Sequence, residues 1–136
     1  MRVGFVQMNP RLLQVDENVD KALRFLERTK ADLIVLPELF NTGYNFSNRR
    51  EIEKVAERIP TGYTSQKLLE ISRDRNMTIV AGIAERRGTT LYNSAIVARD
   101  GRAFTYRKVH LFFREKKFFK PGNEFKVFGD LGVMIC

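Results

Sequence analysis

Cysteine, histidine and tryptophan are nearly absent: the 136 residues include one Cys, one His and no Trp. A single cysteine cannot form an internal disulfide, so nothing argues for a secreted, disulfide-stabilised scaffold. One His and one Cys cannot supply a zinc ligand set, and there is no glycine-rich phosphate loop. We therefore expect neither a metal nor a cofactor.

Long apolar runs are also missing. No stretch approaches the ~18 consecutive apolar residues that a transmembrane helix requires. The first ten residues, MRVGFVQMNP, lack the apolar core and the small-residue cleavage site of a signal peptide. We expect no membrane partner and a cytoplasmic location.

Acidic residues are outnumbered, 16 against 24 Lys and Arg, which gives a net charge of +8. Most of the basic residues are dispersed among acidic ones, so we expect no nucleic-acid partner. Residues 106–120, YRKVHLFFREKKFFK, are the exception, with six Lys or Arg among one Tyr and four Phe. Because charge and stacking rings together bind single strands, a noncatalytic nucleic-acid-binding module remains an alternative.

Apolar periodicity divides the remaining chain into helices and strands. Helices are predicted from an N-cap at Asp16 or Asn18 to Lys30, over residues 49–57, and from an N-cap at Thr64 to Arg75. Strands are predicted over residues 2–8, 31–38, 77–86, 91–99, 103–108, 125–128 and 131–135, with an Asp-Gly hairpin turn at 100–101. Helices combined with hairpins predict an α/β fold with a mixed sheet.

The last predicted strand, within GDLGVMIC, is as apolar as a central strand. An apolar strand of this kind expects cover on both faces. We therefore interpret residues 1–136 as one domain that is incomplete at its C-terminus.

Three residues are candidates for chemistry, although none is convincing alone. Glu38 directly follows a predicted buried strand, at the sheet edge where open α/β folds bind ligands, but a solvated loop acid is equally simple. Lys108 is one of 24 basic residues and suits an ordinary surface charge. Cys136 suits a buried strand cysteine.

Together, their contexts resemble a known family. LPELFNTGY around Glu38, YRKVHLF around Lys108 and GVMIC ending at Cys136 are similar to the three signature regions of the carbon–nitrogen hydrolase (nitrilase) superfamily, in the same order. The resemblance extends over the whole chain from VGFVQMNP onward. It implies an α-β-β-α sandwich, present here as its N-terminal half, and a homodimer or larger homo-oligomer.

The resemblance also implies roles for these residues. Cys136 would be the nucleophile, because a thiolate attacks a nitrile or amide carbon to give a covalent intermediate. Glu38 would take the thiol proton and later activate water. Lys108 would stabilise the anionic tetrahedral intermediate.

Five further residues are assigned by their place in the motifs. Glu115 matches a second family glutamate that positions the substrate or the lysine; its alternative is a salt bridge to a neighbouring basic residue. Asn93 and Ser94, in LYNSA, are predicted to brace the site. Tyr44 and Phe113 are predicted to line the substrate pocket; both equally suit the core.

These assignments predict a hydrolase of non-peptide carbon–nitrogen bonds in a small amide, carbamoyl compound or nitrile. An inactive hydrolase-like subunit is a further alternative. We expect the 136-residue segment alone to be inactive, since the resemblance places much of the pocket wall in the other half of the sandwich.

Overall fold

The computed structural model describes all residues from Met1 to Cys136. Three α-helices are present: α1 (Val15–Arg28), α2 (Arg49–Val55) and α3 (Tyr63–Arg75). Seven strands are present: β1 (Val3–Phe5), β2 (Leu33–Val35), β3 (Thr78–Arg87), β4 (Thr90–Arg99), β5 (Arg102–Arg107), β6 (Lys126–Phe128) and β7 (Leu131–Val133). A 3₁₀ helix, Phe113–Lys117, lies in residues 106–120, the basic-aromatic segment, where no helix was predicted.

The strands form a five-stranded sheet in the order β1-β2-β3-β4-β5 and a separate hairpin of β6 and β7. The pairs β1–β2 and β2–β3 are parallel, whereas β3–β4 and β4–β5 are antiparallel. Asp100 and Gly101 join β4 to β5 with φ of 51° and 70°, the positive values that a tight hairpin turn requires. The predicted α/β fold with a mixed sheet is confirmed.

One face of the sheet is covered by α1 and α3. Helix α1 turns Val19, Ala22 and Leu26 inward, because residues three and four apart share a helix face. They pack with Leu68 of α3 against the buried side chains of β3 and β4. No helix here is both long and apolar enough to cross a membrane.

The opposite face carries a second, smaller apolar cluster near the carboxyl end of β2. Its fully buried members include Leu39, Ile52 and Ala84, and Phe119 closes it from the segment after the 3₁₀ helix. This cluster holds the loop after β2 and the segment after β5 on the same side of the sheet.

The predicted helix caps are wrong. Asp16 and Asn18 both lie inside α1, and the buried Asn18 side chain accepts a hydrogen bond from the Arg11 N–H at 2.7 Å. Thr64 lies inside α3, where its N–H donates to the Glu57 carboxylate at 2.7 Å. The Asn18 side chain bonds backbone groups of Arg11 and Asn41, and the Thr64 hydroxyl bonds the side chains of Glu57 and Asn41. Local sequence patterns do not reveal such partners.

The last strand also differs from its prediction. Strand β7 is three residues long and pairs with β6 only. Leu131, Val133 and Ile135 are half-buried, whereas Gly132 and Met134 are exposed. An alternating strand buries one face, so residues 1–136 cover only one face of this strand, and the expectation of cover on both faces stays a prediction.

Candidate active site

Glu38 is placed by a close approach between two backbones. It follows Pro37 just beyond β2, and the Pro37 carbonyl accepts the Gly82 N–H of β3 at 3.2 Å. A Cβ at Gly82 would lie 2.5 Å from the Glu38 Cα, so only glycine fits there. Sequence analysis did not single out Gly82, although a glycine inside a strand signals such an approach.

Lys108 is placed immediately after β5. Its N–H donates to the Asn93 carbonyl of β4 at 2.8 Å, and its own carbonyl accepts the Gly122 N–H at 2.9 Å. The side chain of Lys108 is 1% exposed. The surface-charge alternative for Lys108 is therefore wrong.

Four side chains meet in one charged cluster at this edge of the sheet. Lys108 Nζ lies 2.7 Å from Glu38 Oε1 and 3.0 Å from Glu115 Oε1. Asn93 Nδ2 donates to the same two oxygens, at 2.6 Å and 2.9 Å. One ammonium and one amide thus bridge two carboxylates, which compensates the cost of burying charge.

Glu115 is oriented by the 3₁₀ helix that contains it. The Phe112 N–H donates to Glu115 Oε2 at 2.6 Å, while Oε1 faces Lys108. Glu115 is 5% exposed. Its ion-pair partner is Lys108, and not one of the neighbouring basic residues that the alternative interpretation named.

The cluster holds Lys108 and Glu115 in their charged forms. Burial opposes the charge of Lys108, but the hydrogen bonds and charges of Glu38 and Glu115 outweigh it, so the pKa of Lys108 is raised. Burial likewise opposes ionisation of Glu115, but the Phe112 N–H and Lys108 outweigh it, so the pKa of Glu115 is lowered. A lysine with a raised pKa acts as a donor and a positive charge, and not as a base.

An aromatic cavity of about 270 Å³ adjoins Glu115. Tyr44 and Phe113 both line it, together with Phe46, Phe112 and Phe118. Tyr44 is 45% exposed and Phe113 is 75% exposed, so the core alternative for these two is wrong. Partial burial and the neighbouring Glu115 carboxylate raise the pKa of the Tyr44 hydroxyl above its usual range.

The structure does not bring two of the predicted residues to this cluster. Cys136 lies beyond β7, exposed, and its thiol makes no hydrogen bond to Glu38 or Lys108. Ser94 faces the other side of the sheet and donates to Glu85 at 2.7 Å. Ser94 therefore does not contact the cluster itself, because adjacent strand residues point to opposite faces.

The side chains show no cluster of three or more His, Cys, Asp or Glu that is arranged to hold a metal ion. The chemistry available at this edge is instead that of a buried ammonium, two carboxylates and an amide beside an aromatic cavity.

Replacing Glu115 with glutamine should destabilise the protein by about 1.5 to 3 kcal/mol near neutral pH, since Lys108 and Asn93 lose a charged acceptor. The lowered pKa of Glu115 means that its contribution is fully present above the unfolded-state pKa. That contribution is lost as the pH falls through the lowered folded-state pKa. The difference in unfolding free energy between parent and variant should therefore shrink on acidification, measured by urea unfolding at several pH values.

Glu124→Gln is the matched control, because it removes a carboxylate that also pairs with a lysine, Lys126, but whose side chain is 60% exposed. Exposed pairs contribute little, so this variant should match the parent at every pH. A Glu115→Gln effect that is absent, or that does not change with pH, would contradict the buried ion pair.

The chain is similar to proteins of the carbon-nitrogen hydrolase family. The profile of the carbon-nitrogen hydrolase family matches residues 2–136. A nitrilase of Pyrococcus abyssi is 48% identical over 145 residues, covering 100% of this chain and 55% of that relative. An (R)-stereoselective amidase of a Pseudomonas species is 32% identical over 143 residues, covering 100% of this chain and 51% of that relative.

The fold is also similar to that of a solved amidase structure. The crystal structure of an N-terminal amidase with a Gln-Gly peptide superposes with a TM-score of 0.82 at 28% identity, covering 89% of this chain and 31% of that one. The chain spans about half the length of the two sequence relatives.

Proposed function

Because the chain belongs to the carbon–nitrogen hydrolase family, we propose that the protein hydrolyses a non-peptide carbon–nitrogen bond in a small amide, carbamoyl compound or nitrile. The observation that carries this proposal is the burial of Lys108 between Glu38 and Glu115 beside an open aromatic cavity. A purely structural ion pair would not require a neighbouring cavity. An inactive hydrolase-like subunit would have no need to keep a costly buried charge cluster.

The reaction on an amide begins at Cys136. Glu38 accepts the thiol proton, the sulfur bonds to the carbonyl carbon, and the carbonyl π electrons move to oxygen. The Lys108 ammonium stabilises this oxyanion, a role for which its raised pKa keeps it protonated. The carbon–nitrogen bond then breaks, and the leaving nitrogen takes the proton from Glu38.

Water completes the cycle. Glu38 takes a proton from water, and the hydroxide attacks the thioester carbon. The carbon–sulfur bond then breaks, Glu38 returns its proton to the departing thiolate, and the acid is released. A nitrile would first give a thioimidate; one water, activated by Glu38, adds across its carbon–nitrogen double bond and the nitrogen leaves as ammonia, which gives the same thioester. Asn93 orients Glu38, because its Nδ2 donates to the carboxylates of both Glu38 and Glu115. Glu115 orients Lys108, because it accepts from the Lys108 ammonium.

The lining of the cavity favours a substrate with an apolar or aromatic substituent. Its walls include the rings of Tyr44, Phe112 and Phe113, with Arg114 as the one basic side chain. A volume of about 270 Å³ suits a small molecule and not a folded protein chain.

The test is ammonia release by the full-length protein, and not by residues 1–136 alone, from a panel of small amides, carbamoyl compounds and nitriles. We expect turnover of at least one class of compound. Turnover should be lost in Lys108→Met and kept at the parental rate in Lys116→Met, because the Lys116 side chain is exposed. A folded protein that releases ammonia from no compound would contradict the proposal. Steeply salt-dependent binding of single-stranded oligonucleotides would then favour the basic-aromatic segment, residues 106–120, as the functional surface.

A further inference from the structure

A second buried ion pair lies on the opposite face of the sheet from the charged cluster. Glu85 of β3 is 4% exposed, and its carboxylate accepts two hydrogen bonds from Arg107 of β5, one of them at 2.8 Å. Ser94 of β4 donates a third, at 2.7 Å. The guanidinium of Arg107 also lies over the Tyr92 ring, 4.2 Å from its centre. We call Glu85, Ser94 and Arg107 the clamp.

Two of the three clamp residues, Ser94 and Arg107, are direct chain neighbours of site residues. Ser94 follows Asn93, and Arg107 precedes Lys108. Because consecutive side chains of a strand point to opposite faces, the clamp holds from behind the backbone that presents Asn93 and Lys108. The Lys108 N–H to Asn93 carbonyl bond of 2.8 Å joins the two strands at this level.

The geometry of the clamp suits a positioning role better than a general stabilising one. A bidentate guanidinium–carboxylate pair has a fixed planar fork, so it defines the separation and tilt of the groups that carry it. Here that pair joins β3 to β5 across β4, at the end of β5 where Lys108 begins. Lys108 must reach two carboxylates at 2.7 Å and 3.0 Å, which leaves little tolerance for movement of its backbone.

We propose that Glu85 and Arg107 are positioning residues that set the backbone from which Lys108 reaches Glu38 and Glu115. This inference rests on the proposed hydrolase function for its effect on turnover, although the placement of Lys108 is measurable without turnover. None of the three clamp residues lines the aromatic cavity beside Glu115. Loss of the clamp should therefore slow the chemical step and leave substrate binding unchanged.

The variants are Glu85→Gln, Arg107→Lys and Ser94→Ala in the full chain. Glutamine keeps the shape of Glu85 without its charge, and lysine keeps the charge of Arg107 without the bidentate fork. The matched control is Asp130→Asn, which removes an ion pair of 2.8 Å with Arg99 at the far, exposed end of β4.

We expect kcat to fall about 10- to 100-fold in Glu85→Gln and Arg107→Lys, the range typical of a small displacement of a reacting group, with KM unchanged. Asp130→Asn should keep the parental kcat. Ser94→Ala removes one hydroxyl and folds most readily, so it decides the question, with a smaller fall in kcat, if the charge variants do not fold.

The second measurement is the titration of the Lys108 ammonium by NMR. Displacement from Glu38 and Glu115 removes the contacts that raise the Lys108 pKa while burial still lowers it, so this pKa should fall in the clamp variants and not in Asp130→Asn. A merely structural clamp would lower the melting temperature and leave this titration unchanged.

Folded clamp variants with the parental kcat and the parental Lys108 titration would overturn the positioning role. A parent protein without hydrolase activity would instead contradict the proposed function. In that case an unchanged Lys108 titration would still refute the clamp, and a lowered pKa would still support it.

Discussion

Replacing Cys136 with alanine in the full chain should reduce ammonia release by several orders of magnitude, because the covalent route has no other nucleophile. Stability should hardly change. The thiol is exposed and makes no hydrogen bond in this structure, so its removal leaves no cavity and no unsatisfied partner. The measurements are ammonia release on the best substrate of the panel, and thermal unfolding of the same preparation.

Two comparisons make this result specific. Cys136→Ser keeps a hydroxyl of similar size and should be nearly as inactive, since a serine hydroxyl is a far weaker nucleophile than a thiolate. Met134→Ala alters a neighbouring exposed residue and should retain activity. Mass spectrometry of the parent mixed with substrate should show an acyl adduct on Cys136. Ammonia release at the parental rate from Cys136→Ala would refute the nucleophile assignment.

Replacing Glu38 with glutamine should reduce turnover by about 10²-fold or more, the contribution typical of a general base. Glutamine has the same shape but cannot accept the thiol proton. It also removes the negative charge that lies 2.7 Å from Lys108 Nζ and 2.6 Å from Asn93 Nδ2. Alkylation of Cys136 at neutral pH should slow in parallel, because the thiol loses its proton acceptor.

Glu53→Gln provides the matched control for Glu38. Its carboxylate also accepts from a basic side chain, Arg49, at 2.8 Å, but it is 45% exposed on the surface of α2. Turnover and alkylation should both be unchanged in that variant. If Glu38→Gln behaves in the same way as Glu53→Gln, then Glu38 is a structural partner of Lys108 and not the base.

Much of the fold could be predicted from the sequence because its signals are local. The apolar runs that form β3 and β4, and the Asp-Gly turn after β4, depend on residues within a few positions of each other. The helix boundaries of α2 and α3 followed from apolar spacing to within two residues. The mixed sheet then follows from combining such helices with hairpins.

The candidate site could be predicted only as separate residues. Motif context selected Glu38, Lys108 and Glu115, but neither composition nor spacing distinguishes Lys108 from the other basic residues. The burial of Lys108 depends on the 3₁₀ helix packing against the sheet. The same packing pairs Glu115 with Lys108 and not with an exposed lysine of its own segment.

Tertiary structure alone decided which side chains share a face. Glu38 and Lys108 are 70 residues apart, and they meet because parallel and antiparallel pairing bring the ends of β2 and β5 to one edge. Gly82 makes that meeting possible by letting the backbone at Glu38 approach β3. Ser94, assigned to the site from its motif, points away from it because strand side chains alternate with a period of two. The sequence by itself thus determined which residues are candidates for the chemistry, and pairing register and backbone contact determined which of them can touch.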